Sequence, residues 1–153
     1  MNDVEAAVHL MTTAPFYSTI FKDDIEHALQ QVLPPIKLNQ YRVFRRGDRP
    51  FAYTSWAFMN EESSNKFKKT GIVEKENWWN NGNQIWIMDT ISAEKNTSQL
   101  PLHKWTRRKI GEEVGSNRKI NWLRLGYDKF GEIKVKKTGY AFTKGEINNE
   151  FGS

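Results

Sequence analysis

The sequence predicts one α/β domain spanning residues 1–153, with helices flanking a mixed, mostly antiparallel central sheet. Three observations predict it. Two apolar, strand-like runs, residues 49–57 and 86–91, are separated by a polar helical stretch. Apolar residues recur at helical spacing in 25–33 and 102–114. Residues 121–126 and 133–136 alternate like strands with one solvated face. The resulting order is helices, hairpin, helix, strand, helix, strands, and 153 residues suffice for one buried core.

Each element has a local signal. Val4, Val8 and Met11 share one side of a short helix that Ala14-Pro15 breaks, because the residue before proline avoids helical angles. Pro15-Phe16-Tyr17 reads as a loop. Asp23 with Glu26 reads as a capping box for a helix over Ile25, Ala28, Leu29, Val32 and Leu33, which Pro34-Pro35 should end. Residues 41–45 form a strand, Arg46-Gly47-Asp48 a turn, and 50–59 the second strand of a hairpin. Pro50 falls at that strand's start, where its missing donor does least harm. Residues 61–69 are helical and Gly71 closes them. Trp78 to Gly82 is a turn, 84–92 a strand, and 94–99 a polar loop. A helix begins after Pro101 and stops at Gly115. Residues 128–131 form a turn, 139–142 a short last strand, and the final residues a frayed end.

Composition removes several chemistries. With no Cys, disulfides, thiolate metal sites and cysteine nucleophiles are excluded. The only histidines, His9, His27 and His103, share no ligand spacing, so no metal site is expected. There is no phosphate-cradling glycine loop and no Gly-x-Ser-x-Gly elbow. No apolar run is long enough for a bilayer and no signal peptide is evident, so a cytoplasmic location is expected. The 13% of aromatic residues, six of them Trp, argue against disorder. Residues 104–144 hold twelve Lys or Arg against four acids, a net +8, and the rest carries −3. A basic half suits an acidic partner, or is simply a solvated lysine surface.

Asp89 is the most informative side chain, a lone carboxylate inside an apolar strand. Such a charge is costly unless it is paired or used. It is either a structural acceptor of backbone hydrogen bonds or a catalytic group. Trp56, Trp79 and Trp86 read as aromatic core, and Tyr17 and Tyr53 as core residues with hydroxyls reaching water.

Several stretches, taken in order, resemble one family. They are Val32-Leu33-Pro34-Pro35-Ile36, Asn39-Gln40-Tyr41, Pro50-Phe51-Ala52-Tyr53-Thr54-Ser55-Trp56-Ala57, Trp79-Asn80-Asn81-Gly82 and Trp86-Ile87-Met88-Asp89-Thr90-Ile91. The chain resembles the toxin-activating lysine acyltransferases, partners of RTX hemolysins, over roughly residues 9–110, and the match fades in residues 102–109. The resemblance implies an N-acetyltransferase-like (GNAT-like) fold and no bound cofactor. It implies a fatty acyl donor held on acyl carrier protein and internal lysines of a protoxin as acceptors, modified in the cytosol before export. It also implies a tendency to dimerise. The acidic carrier protein suits the basic half. On this resemblance Asp89 matches the family's catalytic Asp. Tyr53, Ser55 and Trp56, with Arg107 and Arg108, are candidate donor- or substrate-binding residues.

The resemblance breaks at one place. The family's Ser-Pro-x-His motif reads Ala14-Pro15-Phe16-Tyr17 here, and His9 falls where the family has Trp. A lysine acceptor, with a pKa of about 10.4, must lose a proton before attacking a thioester. A phenol with a pKa of about 10 is a poor base for that, although it can donate a proton or hydrogen-bond an oxyanion. The catalytic candidates are therefore Asp89 and Tyr17, with the base being Asp89, a relocated His or a partner's group. Three functions follow. One is ordinary protoxin acylation with a swapped acid. The second is the divergent branch of siderophore-microcin clusters, which helps attach a siderophore to a bacteriocin's C-terminus together with a small accessory protein. The third is an inactive scaffold or basic nucleic-acid-binding module. The missing His, the missing Ser and the short chain weigh towards the second.

Overall fold

The structure is a computed structural model, and it describes residues 1–93 and 100–144. The element order is α1 (Asp3–Thr13), α2 (Tyr17–Phe21), α3 (Ile25–Lys37), β1 (Tyr41–Arg46), β2 (Arg49–Met59), α4 (Glu61–Thr70), a 3-10 turn (Glu76–Trp79), β3 (Gln84–Ser92), α5 (Leu100–Val114), β4 (Lys119–Tyr127) and β5 (Ile133–Phe142). The five strands form one sheet in the order β1-β2-β3-β4-β5. The α/β expectation is met, but the sheet is mixed rather than mostly antiparallel. β1–β2 and β4–β5 pair antiparallel, whereas β3 and β4 pair parallel through Ile85–Ile120, Trp86–Asn121 and Ile87–Trp122. The cause is α5. A helix joining neighbouring strands returns the chain to the same end of the sheet, which makes the strands parallel.

The chain divides into two compact units, residues 1–56 with 89–104, and residues 57–88 with 105–153. In the first unit α1, α2 and α3 bury Ala7, Leu10, Met11, Phe21, Ala28 and Val32 together with Tyr53 of β2 and Ile91 of β3. Asn2 caps α1 in a reciprocal box with Glu5. Asp3 then accepts from the Tyr41 hydroxyl at 2.5 Å and from Arg45 at 2.8 Å, which ties the helix to β1. That hydrogen bond pushes the Tyr41 phenol up to about 12 and, with Arg45, holds Asp3 below the usual carboxylate range.

In the second unit Ala57, Met59, Phe67, Trp78, Trp79 and Trp86 form the core. The Trp86 indole N–H donates to the Ser64 hydroxyl at 2.8 Å, so the buried donor is satisfied. Asn60 caps α4, and Gly71 ends it at φ +72, a left-handed angle that suits glycine.

Local expectations hold for α1, the β1–β2 hairpin, α4, β3 and the Gly115 stop. Others need correction. α3 does not end at Pro34-Pro35 but runs through them to Lys37, and both prolines are buried. The two missing N–H groups forfeit the helical bonds to the carbonyls of Gln30 and Gln31. Packing of Val32, Pro34 and Pro35 outweighs that loss. The α3 cap is Asp24, not Asp23, and its carboxylate accepts from the His27 amide. Tyr17 opens a helix rather than sitting in a loop. Trp78 and Trp79 belong to a 3-10 turn, and Pro101 lies inside the first turn of α5. The two predicted last strands are one, β5, whose pairing with β4 shifts register between Arg124 and Leu125 of β4. Pro50 stands opposite Arg45 at the register shift of the first hairpin. The predicted 94–99 loop and the frayed end after 144 lie outside the described residues. No helix among the described residues is long and apolar enough to cross a membrane.

Candidate active site

β3 carries Asp89 into the first unit, where it is 5% exposed. Its Oδ2 accepts from Gln31 Nε2 of α3 at 3.1 Å and from Ser55 Oγ of β2 at 3.3 Å. The Tyr17 hydroxyl hydrogen-bonds to the same carboxylate, and the Thr90 backbone also reaches that hydroxyl. Tyr17 as a residue is half-buried, yet its hydroxyl sits against a carboxylate with almost no contact with water.

Burial sets the acid–base character. It raises Asp89 to about 6, and the hydrogen bonds from Gln31, Tyr17 and Ser55 offset part of the rise. Burial, and then the Asp89 charge, push the Tyr17 phenol well above its ordinary value. Tyr17 is therefore a standing donor, and Asp89 is the group that changes charge near neutrality. Removing either donor should raise Asp89 further. Gln31→Leu, which leaves the Tyr17 hydroxyl in place, is expected to move the acid limb of a kcat/KM–pH profile upward from about 6. A limb that stays in place would detach Asp89 from the rate.

A strained turn aims Tyr17. Phe16 has φ 68 and ψ −58, and the Tyr17 amide donates to the Pro15 carbonyl at 2.9 Å. That is a tight γ-turn, rare and strained for a residue with a side chain. The Phe16 ring meets the Tyr17 ring edge to face at 5.9 Å.

The other predicted residues divide. Tyr53 is fully buried on β2 two residues before Ser55, and its hydroxyl has no hydrogen-bond partner of good geometry among the described residues. Burial, and then Asp89, push its phenol up. Trp56 follows Ser55 directly and so faces the opposite side of the strand. Its backbone pairs with Gln40 in both directions, at 3.1 and 2.9 Å. Arg107 and Arg108 belong to the second unit. Arg107 lies over the Trp122 ring at 5.6 Å, and Arg108 is exposed. Of the three histidines, His9 is exposed on α1, His27 leans on Asp24 at 3.8 Å, and His103 is half-buried on α5 within the same unit as Asp89. Sequence reasoning missed Gln31. Its only signal was its place in a helix otherwise read for its apolar stripe. Among the described residues no group of three His, Asp or Glu is placed to hold a metal ion.

The chain is 29% identical to the protein-lysine palmitoyltransferase CyaC of Bordetella bronchiseptica over 104 residues, 67% of this chain and 56% of that protein. It is 34% identical to a protein-lysine myristoyltransferase, HlyC, of Escherichia coli over 85 residues, 54% and 48% of the two chains. It is 32% identical to the RTX-II toxin-activating lysine-acyltransferase ApxIIC of Actinobacillus pleuropneumoniae over 87 residues, 57% and 53%. The chain thus spans about half the length of the curated relatives it matches. The model of one family aligns with residues 4–136, and by that match the chain belongs to the RTX toxin acyltransferase family.

Proposed function

We propose that this chain transfers a fatty acyl group from an acyl-carrier-protein thioester to the ε-amine of a lysine in a toxin precursor. The observation that carries this reading is the hydrogen-bonded pair of Asp89 and Tyr17, joined by one buried carboxylate. The names of the relatives support lysine as acceptor and a long acyl chain as the transferred group. On this reading the fold is of the N-acetyltransferase-like class.

The chemistry follows from the two pKa directions. Above pH about 6 Asp89 is a carboxylate and Tyr17 donates to it. As the lysine nitrogen attacks the thioester carbonyl, its proton passes to the Tyr17 oxygen while the Tyr17 proton moves to Asp89. The C–N bond forms and the C–S bond breaks. The departing thiolate recovers the proton from Asp89 through the same hydroxyl. A lysine that arrives as ammonium releases one further proton to solvent. Tyr17 never stands as a phenolate, which its strongly raised pKa forbids. The Tyr53 hydroxyl, buried beside Ser55, is a candidate donor to the developing oxyanion.

The test is direct. Acyl–acyl carrier protein, a candidate protoxin and the full chain should together yield a lipid mass shift on lysine. Tyr17→His should speed lysine acylation if this position sets proton transfer to the acceptor. A second reading rests on one observation, the phenol at the position where the family has histidine. On that reading the chain serves siderophore-microcin maturation. Absence of the lipid shift, with siderophore attached to a microcin C-terminus, would overturn the first reading in its favour. Salt-dependent nucleic-acid binding with no transfer of either group would replace both.

A further inference from the structure

The turn between β4 and β5 presents three apolar side chains within seven residues. Phe130 is 78% exposed, Tyr127 43% and Ile133 38%. Tyr127 and Ile133 are direct cross-strand partners, so they share a face, with Phe130 between them at the tip. Single exposed apolar residues are ordinary, whereas a cluster on a structured protrusion is not.

This turn is built to hold Phe130 out. Asp128 Oδ1 accepts from the Phe130 amide at 2.8 Å and from the Glu132 amide at 2.9 Å. The Gly131 amide donates to the Asp128 carbonyl at 3.0 Å, and the Asp128 amide to the Glu132 carbonyl at 2.8 Å. The Asp128 carboxylate is held below its ordinary range chiefly by these backbone donors, with Lys134 at 3.4 Å. Its charge is thus spent inside the turn. Around it stand Arg124, Lys129, Lys134, Lys136 and Lys137 against Asp128 and Glu132, a net +3 for residues 124–137.

We propose that this hairpin tip docks on an anionic lipid surface, with Phe130 inserted at the headgroup boundary. An exposed apolar tip with a surplus of basic side chains around it fits such an interface, since lysine stems can lie along the apolar zone while ammonium groups not spent on Asp128 meet anionic headgroups. Two other occupants fit less well. β5 is the edge of the sheet, and Lys134, Lys136 and Lys137 oppose the addition of another strand. Single-stranded nucleic acid needs bare aromatic faces for stacking, whereas Lys129 lies over the Phe130 ring at 5.2 Å. This proposal does not depend on the acyl-transfer site.

Flotation of the full chain with phosphatidylglycerol–phosphatidylcholine vesicles tests it. Binding should be present with these vesicles, absent with phosphatidylcholine alone, and reversed by high salt. Phe130→Ser should weaken it by at least about tenfold, with an unchanged thermal unfolding midpoint because Phe130 packs on little. Phe130→Trp should restore binding and be quenched by brominated lipid. No binding to anionic vesicles, or binding indifferent to Phe130→Ser, would overturn the proposal. So would binding of a single-stranded oligonucleotide or an acidic protein in place of vesicles.

Discussion

Asp89→Asn is expected to lower kcat/KM for acyl transfer by at least about a hundredfold, the scale of a lost general base. The same change should make the protein more stable at pH 7, by up to about 3 kcal/mol, because a rise of the carboxyl from 3.8 to about 6 is a folding cost. The sign follows from proton counts. Between pH about 4 and 6 the unfolded chain has lost the Asp89 proton and the folded chain keeps it. Stability therefore falls as pH rises through that window, and the full cost persists above it. Below pH about 4 both states are protonated, so native and variant should converge. The amide keeps an acceptor for Gln31, and the Ser55 and Tyr17 oxygens can accept its N–H. Urea unfolding at pH 4 and pH 7 measures the difference. A variant that gains nothing at pH 7 over pH 4 would mean that burial does not penalise this charge.

The largest structural loss is expected at Gly82. A Cβ there would lie 2.3 Å from the Asn60 nitrogen and 2.4 Å from both Asn60 Cα and Met59 C. All three are backbone atoms, so no side chain can swing aside. The amides of Asn81 and Gly82 both donate to the Phe58 carbonyl, at 2.8 and 3.2 Å, and Asn81 Oδ1 accepts from the Asn60 amide at 2.8 Å. This loop is therefore clamped on the point where β2 passes into α4. Gly82→Ala should destabilise by about 3 kcal/mol or more, and lower Tm by roughly 6–12 °C for a chain of this size. Gly47→Ala is the control. Nothing lies within 4 Å of its added methyl, so only its left-handed φ of +62 is charged, at about 1 kcal/mol. A Gly82→Ala protein melting within a degree or two of native would contradict the close approach.

Much of this was legible in the sequence, for reasons that can be named. β2 and β3 were visible because strands buried along their length leave apolar runs that turn residues bound. Asp89 stood out because a carboxylate in such a run has few harmless explanations. Tyr17 was found through the motif it departs from, but its surroundings were not. A γ-turn at a phenylalanine has no propensity signal, and two prolines in a helix contradict one. Tertiary packing decided both. Gln31 was invisible for a related reason. A half-buried glutamine that follows another glutamine looks like a solvent-facing residue until a second element supplies its partner. The parallel β3–β4 pair was missed because alternation reports which face a residue takes and not the direction of the neighbouring strand.

The tight bend at Phe16 bears on how this position can vary. The main-chain angles at Phe16 set the direction in which the side chain of position 17 leaves the backbone. Exchange of phenol for imidazole there is expected to leave the loop as it is while changing the group presented towards the buried acid. Glycine at 16 would relax the bend, and with it the aim that makes such exchange permissible.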